Sequence, residues 1–299
     1  LYIDILLRRL KACRLGCYVG NSFAGALCYA DDIILLTPTR NAMNSFLSIC
    51  ENYSKEYDVT FNASKSKTIV FNSKGDDLFV MHGKSIDIVS NDLNLGNFFG
   101  VDSFQAQIDK NIKDLYVKFN LLVAQFSYVN VDVKYDLFKC FCLSVYGSQL
   151  WNFESKLCDK YYVAWRKCVR RLFKLPTRAH SNLLHLVCED LPIEAQLHCR
   201  FGNFLNSCLQ SKNDLIRLVC NNALGNPRSN LSMTTNFIRH KYKMKRDCND
   251  FALNIRRSVS QTTDEGLLQK GLLVKDFLRM NDYQTDGDIV DIIEYLCCD

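Results

Sequence analysis

The fold of the first hundred residues is decided by two apolar runs that flank a pair of carboxylates, in the stretch Phe23-Ala24-Gly25-Ala26-Leu27-Cys28-Tyr29-Ala30-Asp31-Asp32-Ile33-Ile34-Leu35-Leu36. Two apolar runs joined by a short polar turn predict a β-hairpin. Adjacent carboxylates in such surroundings are costly unless a cation neutralises them. Mg²⁺ binds proteins through one or two carboxylates together with substrate phosphates. The stretch therefore predicts a metal site at Asp31 and Asp32, with a solvated Asp-Asp turn as the alternative.

The composition is that of an ordinary globular protein, because 48% of the 299 residues are hydrophobic and 23% are charged. The net charge of +5 is mild but uneven: the segment from Lys156 to Arg178 holds eight Lys or Arg and one acid. Such a cluster suits a polyanionic partner. The 15 cysteines are scattered and no signal peptide precedes them, which predicts reduced thiols in an intracellular protein that is not secreted. No apolar run reaches the roughly 18 residues that span a membrane.

The hydrophobic periodicity changes its character near residue 103. Before it, the pattern predicts a helix over 1–14, the hairpin, an amphipathic helix capped by Thr39, strands at 59–61 and 68–71, and short strands and turns over 78–99. After it, apolar stripes at helical spacing cover 104–127, 131–147 and 156–174. We expect an α+β arrangement over 1–102 and a mostly α-helical chain from 103 onward.

Several motifs, taken in order, resemble the reverse transcriptases of non-LTR (LINE-type) retrotransposons. They are the aromatic-x-Asp-Asp hairpin at Tyr29–Asp32, the Asn-x-x-Lys-Ser segment at Asn62–Ser66, a Leu-Gly turn at Leu95-Gly96, and the Tyr-Gly-x-x-Leu-Trp segment at Tyr146–Trp151. The resemblance implies that residues 1–102 form the C-terminal part of a right-hand polymerase palm and that residues 103–178 form a helical thumb. It covers no motif in the helical region 179–299, whose role stays unknown.

The resemblance also implies roles for individual residues. Asp31 and Asp32 would be catalytic metal ligands, and Lys65 a catalytic cation near the triphosphate. Tyr29 would contact the primer or nucleotide, with a core aromatic as the alternative, and Leu95 and Gly96 would approach the primer, with an ordinary turn as the alternative. The basic helix would track nucleic-acid phosphates, or else be a solvated face, through Arg166, Arg170, Arg171 and Lys174.

By the same resemblance the chain is an RNA-directed DNA polymerase that uses Mg²⁺ or Mn²⁺, deoxynucleoside triphosphates, an RNA template and a DNA primer, in the nucleus or cytoplasm. We expect no zinc site, because His185, Cys188, His198 and Cys199 match no common zinc spacing. The family needs a further metal-binding Asp upstream of the hairpin, yet Asp4 is the single acid before Tyr29. We therefore expect an inactive fragment of the enzyme. The alternative is a catalytically dead remnant that binds nucleic acid through its basic thumb.

Overall fold

The computed structural model describes residues 2–72, 78–177, 181, 184–245 and 250–269, and these form a mixed α and β structure. The chain divides into two compact units, one of residues 1–103 with 211–222, the other of residues 104–210 with 223–299. The division into 1–102, 103–178 and 179–299 stays a prediction. Arg178 and residues 270–299, which belong to the predicted basic segment and helical tail, lie outside the described residues.

The first unit alternates helices with pairs of short strands. Its elements are α1 (Tyr2–Ala12), β1 (Tyr18–Val19), β2 (Ser22–Phe23), β3 (Ala26–Tyr29), β4 (Asp32–Leu35), α2 (Arg40–Tyr57), β5 (Lys67–Thr68), β6 (Val80–Met81), β7 (Lys84–Ser85), β8 (Asp87–Ile88), β9 (Asn91–Asn94) and β10 (Asn97–Gly100). Each described sheet has two strands, antiparallel in β1–β2, β3–β4, β6–β7 and β9–β10 and parallel in β5–β8. The strand predicted at 59–61 is wrong, and the one predicted at 68–71 is reduced to β5.

The helix α2 supports the hairpin β3–β4. It begins where predicted, because the Thr39 hydroxyl accepts a hydrogen bond from the backbone N–H of Ala42 at 3.2 Å. Arg9 of α1 donates two hydrogen bonds to Glu56 of α2, at 2.6 and 2.9 Å, and this ion pair lowers the pKa of Glu56. The two helices enclose a core of buried residues: Leu6, Leu10, Phe46, Cys50 and Tyr53.

The second unit is helical in its described residues. Its α-helices are α3 (Ser103–Gln125), α4 (Val131–Leu137), α5 (Leu157–Leu172), α6 (Leu184–Val187), α7 (Ile193–Leu209), α8 (Asp214–Gly225, shared with the first unit), α9 (Asn230–Lys241) and α10 (Phe251–Gln269). A π-helical turn at Phe138–Cys142 extends α4, and a 3₁₀ turn at Ser148–Leu150 lies within the Tyr-Gly-x-x-Leu-Trp segment. No helix in the described ranges is long and apolar enough to cross a membrane.

Aromatic side chains fill the core of this unit. Trp151 contacts the ring of Tyr161 edge-on at a centroid distance of 5.3 Å, and both side chains are buried. Trp165 is also buried. The indole rings therefore belong to the core and offer no face for stacking with a base.

Candidate functional site

The two carboxylates lie at the tip of the hairpin β3–β4. Tyr29 pairs with Asp32 in the strand register, so the connecting turn consists of Ala30 and Asp31. The hairpin is confirmed, while its turn is displaced by one residue from the predicted Asp-Asp pair. Ala30 has a φ of +53°, a left-handed conformation that costs a residue with a Cβ about 1–2 kcal/mol. Backbone strain of this kind concentrates at functional sites.

The hairpin presents two different faces because successive side chains alternate across a strand. Ala26, Ile33 and Leu35 pack against the core between α1 and α2. The opposite face carries Asp32 beside Tyr29, whose side chain is 68% exposed. The predicted alternative for Tyr29, a core aromatic, does not fit this exposure.

Asp31 and Asp32 are both exposed, and neither carboxylate makes a hydrogen bond or ion pair with another described residue. Over the part of the chain that the structure describes, no group of three or more His, Cys, Asp or Glu side chains is placed to hold a metal ion. Two carboxylates with open coordination positions nevertheless fit Mg²⁺, which keeps several waters and takes phosphate oxygens from a substrate. These two residues would hold such an ion.

Lys65 lies on a loop that Asn62 organises. The Asn62 Oδ1 accepts hydrogen bonds from the backbone N–H groups of Ser64 and Lys65, at 3.1 and 3.2 Å, and from the Ser64 hydroxyl at 2.7 Å. The Lys65 side chain is exposed and forms no ion pair with Asp31 or Asp32. The motif therefore has a local structural role, and the structure does not bring its cation into contact with the acidic tip.

Leu95 and Gly96 form the two-residue turn between β9 and β10, as the sequence predicts for this dipeptide. Both have positive φ, +46° and +79°, which is the requirement of a type I′ turn. Gly adopts this conformation freely, whereas a bulky residue such as Leu is strained in it. Leu95 is 43% exposed, so a long apolar side chain projects from the tip of a strained turn.

The basic helix α5 exposes only part of the predicted cationic face. The helix ends at Leu172, and Lys174 follows with a φ of +54°. Arg166, Arg170 and Lys174 are spaced i, i+4 in the sequence, but Lys174 lies beyond the helix and does not continue its face. Lys174 is exposed and Arg166 half-buried, and the side chains of both are without a hydrogen bond or ion pair to any described residue.

The other two predicted phosphate contacts have partners within the protein. Arg170 donates a hydrogen bond to the Ser181 hydroxyl at 3.0 Å. Arg171 donates to the Asn120 Oδ1 at 2.8 Å and lies 5.5 Å from the ring centre of Phe119. Their guanidinium groups are thus already positioned on the surface of the helical unit.

A buried imidazole, that of His198, lies in the core of the second unit. The His198 Nδ1 lies 2.9 Å from the Tyr242 hydroxyl, and its ring meets that of Phe153 edge-on at 4.7 Å. Burial lowers the pKa of His198 to about 3, with a smaller contribution from Lys241. A neutral His packed among aromatic rings is a structural residue, and its sequence neighbours give no hint of Tyr242, which lies on another helix end.

No protein-family model matches the chain, and no curated protein matches it.

Proposed function

We propose that this chain is the palm and thumb part of a retrotransposon reverse transcriptase, in which Asp31 and Asp32 bind Mg²⁺ or Mn²⁺ for RNA-directed DNA synthesis. The observation that carries the proposal is the pair of adjacent, exposed and unpaired carboxylates at the tip of a hairpin whose other face is anchored in a core. A bound ion would stabilise the charge of the transferred phosphoryl group. The order of motifs along the sequence supplies the family.

Other residues of the first unit have roles that agree with this proposal. Exposed Tyr29 lies on the face of the hairpin that carries Asp32, where its ring would stack on the base of a nucleotide or of the primer terminus. Gly96, which has a φ of +79° and no side chain, is the position of the turn at which a primer strand would approach the backbone closely. In this proposal Lys65 neutralises triphosphate charge after the nucleotide has bound.

A second candidate is a non-catalytic retroelement remnant that binds nucleic acid. It is favoured by the absence, within the described ranges, of a third carboxylate beside Asp31 and Asp32. Its binding surface would be the cationic side chains of Arg166 and Lys174, which lack partners among the described residues. Contacts of this kind are independent of sequence and weaken steeply with salt.

Metal binding by the full chain tests the acidic tip directly. Mn²⁺ should broaden the NMR signals of residues around the hairpin turn and leave distant residues sharp. Asp31→Asn should weaken this effect about tenfold or more, because the remaining ligands hold the ion poorly. Asp102→Asn, which removes another exposed carboxylate of the same unit, is the matched control and should change nothing. If Asp31→Asn and Asp102→Asn reduce the broadening equally, the proposed metal site at the hairpin turn is wrong.

Primer extension separates the two candidates. The chain should be joined to a polymerase segment that supplies the further metal-binding Asp, and tested on a poly-rA template with an oligo-dT primer. A reverse transcriptase extends the primer in a Mg²⁺-dependent manner and loses this activity with Asp31→Ala. A remnant binds the hybrid, with a salt slope that Lys174→Gln lowers by about one, and shows no extension with or without Asp31. Arg228→Gln, an exposed cation of the helical unit, is the control for the loss of one charge.

A further inference from the structure

A cavity of about 130 Å³ lies in the second unit, between α7, α9, the end of α8 and the start of α10. Leu224 and Phe251 form apolar parts of its wall. The volume is close to that of an engineered cavity of about 150 Å³ that accommodates benzene, and far above the roughly 10–15 Å³ that one water needs. The cavity can therefore hold a small molecule or ion.

The polar part of the wall comes from one face of α9. Ser232, Thr235, Asn236 and Arg239 all line the cavity, and they follow the i, i+3, i+4, i+7 spacing of a single helix face. This polar row is visible in the sequence, although α9 lacks the dense charge that draws attention to α5. A row of polar side chains turned toward a cavity between helices differs from the usual apolar face of a packed helix.

Arg239 is the charged member of the row and has no partner of opposite charge among the described residues. Its Nε is buried without a hydrogen-bond acceptor. The guanidinium carbon lies over the ring of Phe251, 5.5 Å from its centre, and a ring contact of this kind supplies no hydrogen-bond acceptor oxygen. A buried donor of a charged group that lacks an acceptor is costly, and a bound acceptor would offset that cost.

The neighbouring side chains decide what kind of acceptor fits. The Thr235 hydroxyl donates to the carbonyl of Leu231 at 2.7 Å and has no hydrogen left for a ligand. The Ser232 hydroxyl and the Asn236 amide have no hydrogen bond to another described residue and can donate. No Asp or Glu belongs to the described lining of the cavity.

We propose that this cavity is a binding site for a tetrahedral oxyanion, a phosphate or phosphate monoester, held by Arg239, Ser232 and Asn236. The planar fork of an Arg matches two oxygens of such a group, and the hydroxyl and amide supply donors to the others. A phosphate group is smaller than benzene and fits the volume. The site lies in the helical unit and does not depend on the function proposed for the acidic tip.

Calorimetric titration of the full chain with inorganic phosphate tests the site, with NaCl adjusted to constant ionic strength. We expect saturable binding that Arg239→Gln weakens about 10- to 100-fold, the loss typical of a charge-assisted hydrogen bond. Arg257→Gln removes an exposed charge from α10 and should leave phosphate binding unchanged. In a second titration glycerol 3-phosphate replaces phosphate. If it binds more tightly than phosphate, the site is assigned to a phosphorylated small molecule, and if it binds more weakly, the site is assigned to the free phosphate ion.

A second variant keeps the test decisive if Arg239→Gln does not fold. Asn236 is exposed, so Asn236→Leu removes one donor without disturbing the contact between Arg239 and Phe251. It should weaken phosphate binding severalfold and leave the melting temperature in NaCl unchanged. The proposal is overturned if phosphate raises the melting temperature no more than NaCl at equal ionic strength, or if Asn236→Leu and Arg257→Gln behave alike.

Discussion

Replacing Gly202 by Ala should destabilise the helical unit, although Ala is the better helix former. Gly202 lies inside α7, where Ala is favoured over Gly by about 1 kcal/mol on helix propensity alone. A Cβ at this position would lie 2.3 Å from the Cβ of Phe251 and 3.0 Å from its Cγ. Both distances are shorter than a carbon–carbon contact allows, so packing opposes propensity at this position.

The size of the destabilisation depends on which atom the new Cβ meets. The Phe251 Cβ is bonded directly to the backbone, so no change of rotamer moves it away, and α7 and α10 would have to separate. Phe251 is 2% exposed and its backbone belongs to α10, so its Cβ cannot retreat even though its ring borders the cavity. Overpacking of a core costs about 1–3 kcal/mol, and a backbone-linked obstacle places this case near the upper end. Subtracting the propensity gain of about 1 kcal/mol leaves a net loss of about 2 kcal/mol.

Urea unfolding followed by tryptophan fluorescence measures this loss. The two tryptophans of the chain, Trp151 and Trp165, are both buried in the helical unit and report on its unfolding. Gly225→Ala is the matched control, because Gly225 ends α8 and has open space where its Cβ would go. It should leave the midpoint unchanged or raise it slightly, with an effect below about 1 kcal/mol.

Unfolding of Gly202→Ala at the same urea concentration as the wild type, or at a higher one, would contradict this prediction. In that outcome the gain in helix propensity would exceed the cost of overpacking, and the close approach of α7 to Phe251 would be absent in solution. An unchanged m-value would show that the variant and wild type expose similar surface on unfolding, so that the midpoints can be compared.

Three further predictions concern other parts of the chain. The pKa of His198 is about 3 in the folded protein and near 6.5 when unfolded, so the unfolded chain binds the extra proton between these values. The free energy of unfolding should therefore decrease as the pH drops below about 6.5. In His198→Phe the urea midpoints at about pH 7 and about pH 5 should differ less than in the wild type. Asn62→Ala removes three hydrogen bonds at the Lys65 loop and should speed amide hydrogen exchange at Ser64 and Lys65, whereas exchange in the helical unit stays unchanged. Gly96→Ala places a Cβ on a residue with a φ of +79° and should lower the protection of β9 and β10 by about 1–2 kcal/mol in the same measurement; equal protection would show that the turn is not left-handed.

The hairpin could be predicted from the sequence, but its register could not. Apolar runs on both sides of a short polar segment are sufficient to predict two paired strands. The turn lies at Ala30 and Asp31 because Tyr29 pairs with Asp32, and that register places Ala26 and Leu35 against the helices. A shift by one residue would turn the opposite face inward, so distant packing partners determine the register.

Other errors have the same physical origin. Val59 and Phe61 pack against the core from irregular backbone, so the alternation that predicts a strand there reflects tertiary contacts rather than strand pairing. Charge spacing extends the basic helix to Lys174, whereas the helix ends two residues earlier. The partners of Arg170 and Arg171 come from other segments, so local sequence shows the charges but not their hydrogen bonds.

Among the described sheets the ribbon β3–β4 has no third strand, so its own ladder contributes little independent stability. What holds it in place is the side chain layer beneath it, which belongs to α1 and α2. Phe46→Ala removes an apolar side chain from this layer and no possible metal ligand. It would nevertheless alter the orientation of Asp31 and Asp32, because the hairpin would pack less firmly on the core. Loss of ion binding in a variant of this unit therefore does not by itself identify a ligand, and hydrogen exchange of the ribbon amides distinguishes a lost ligand from a loosened support.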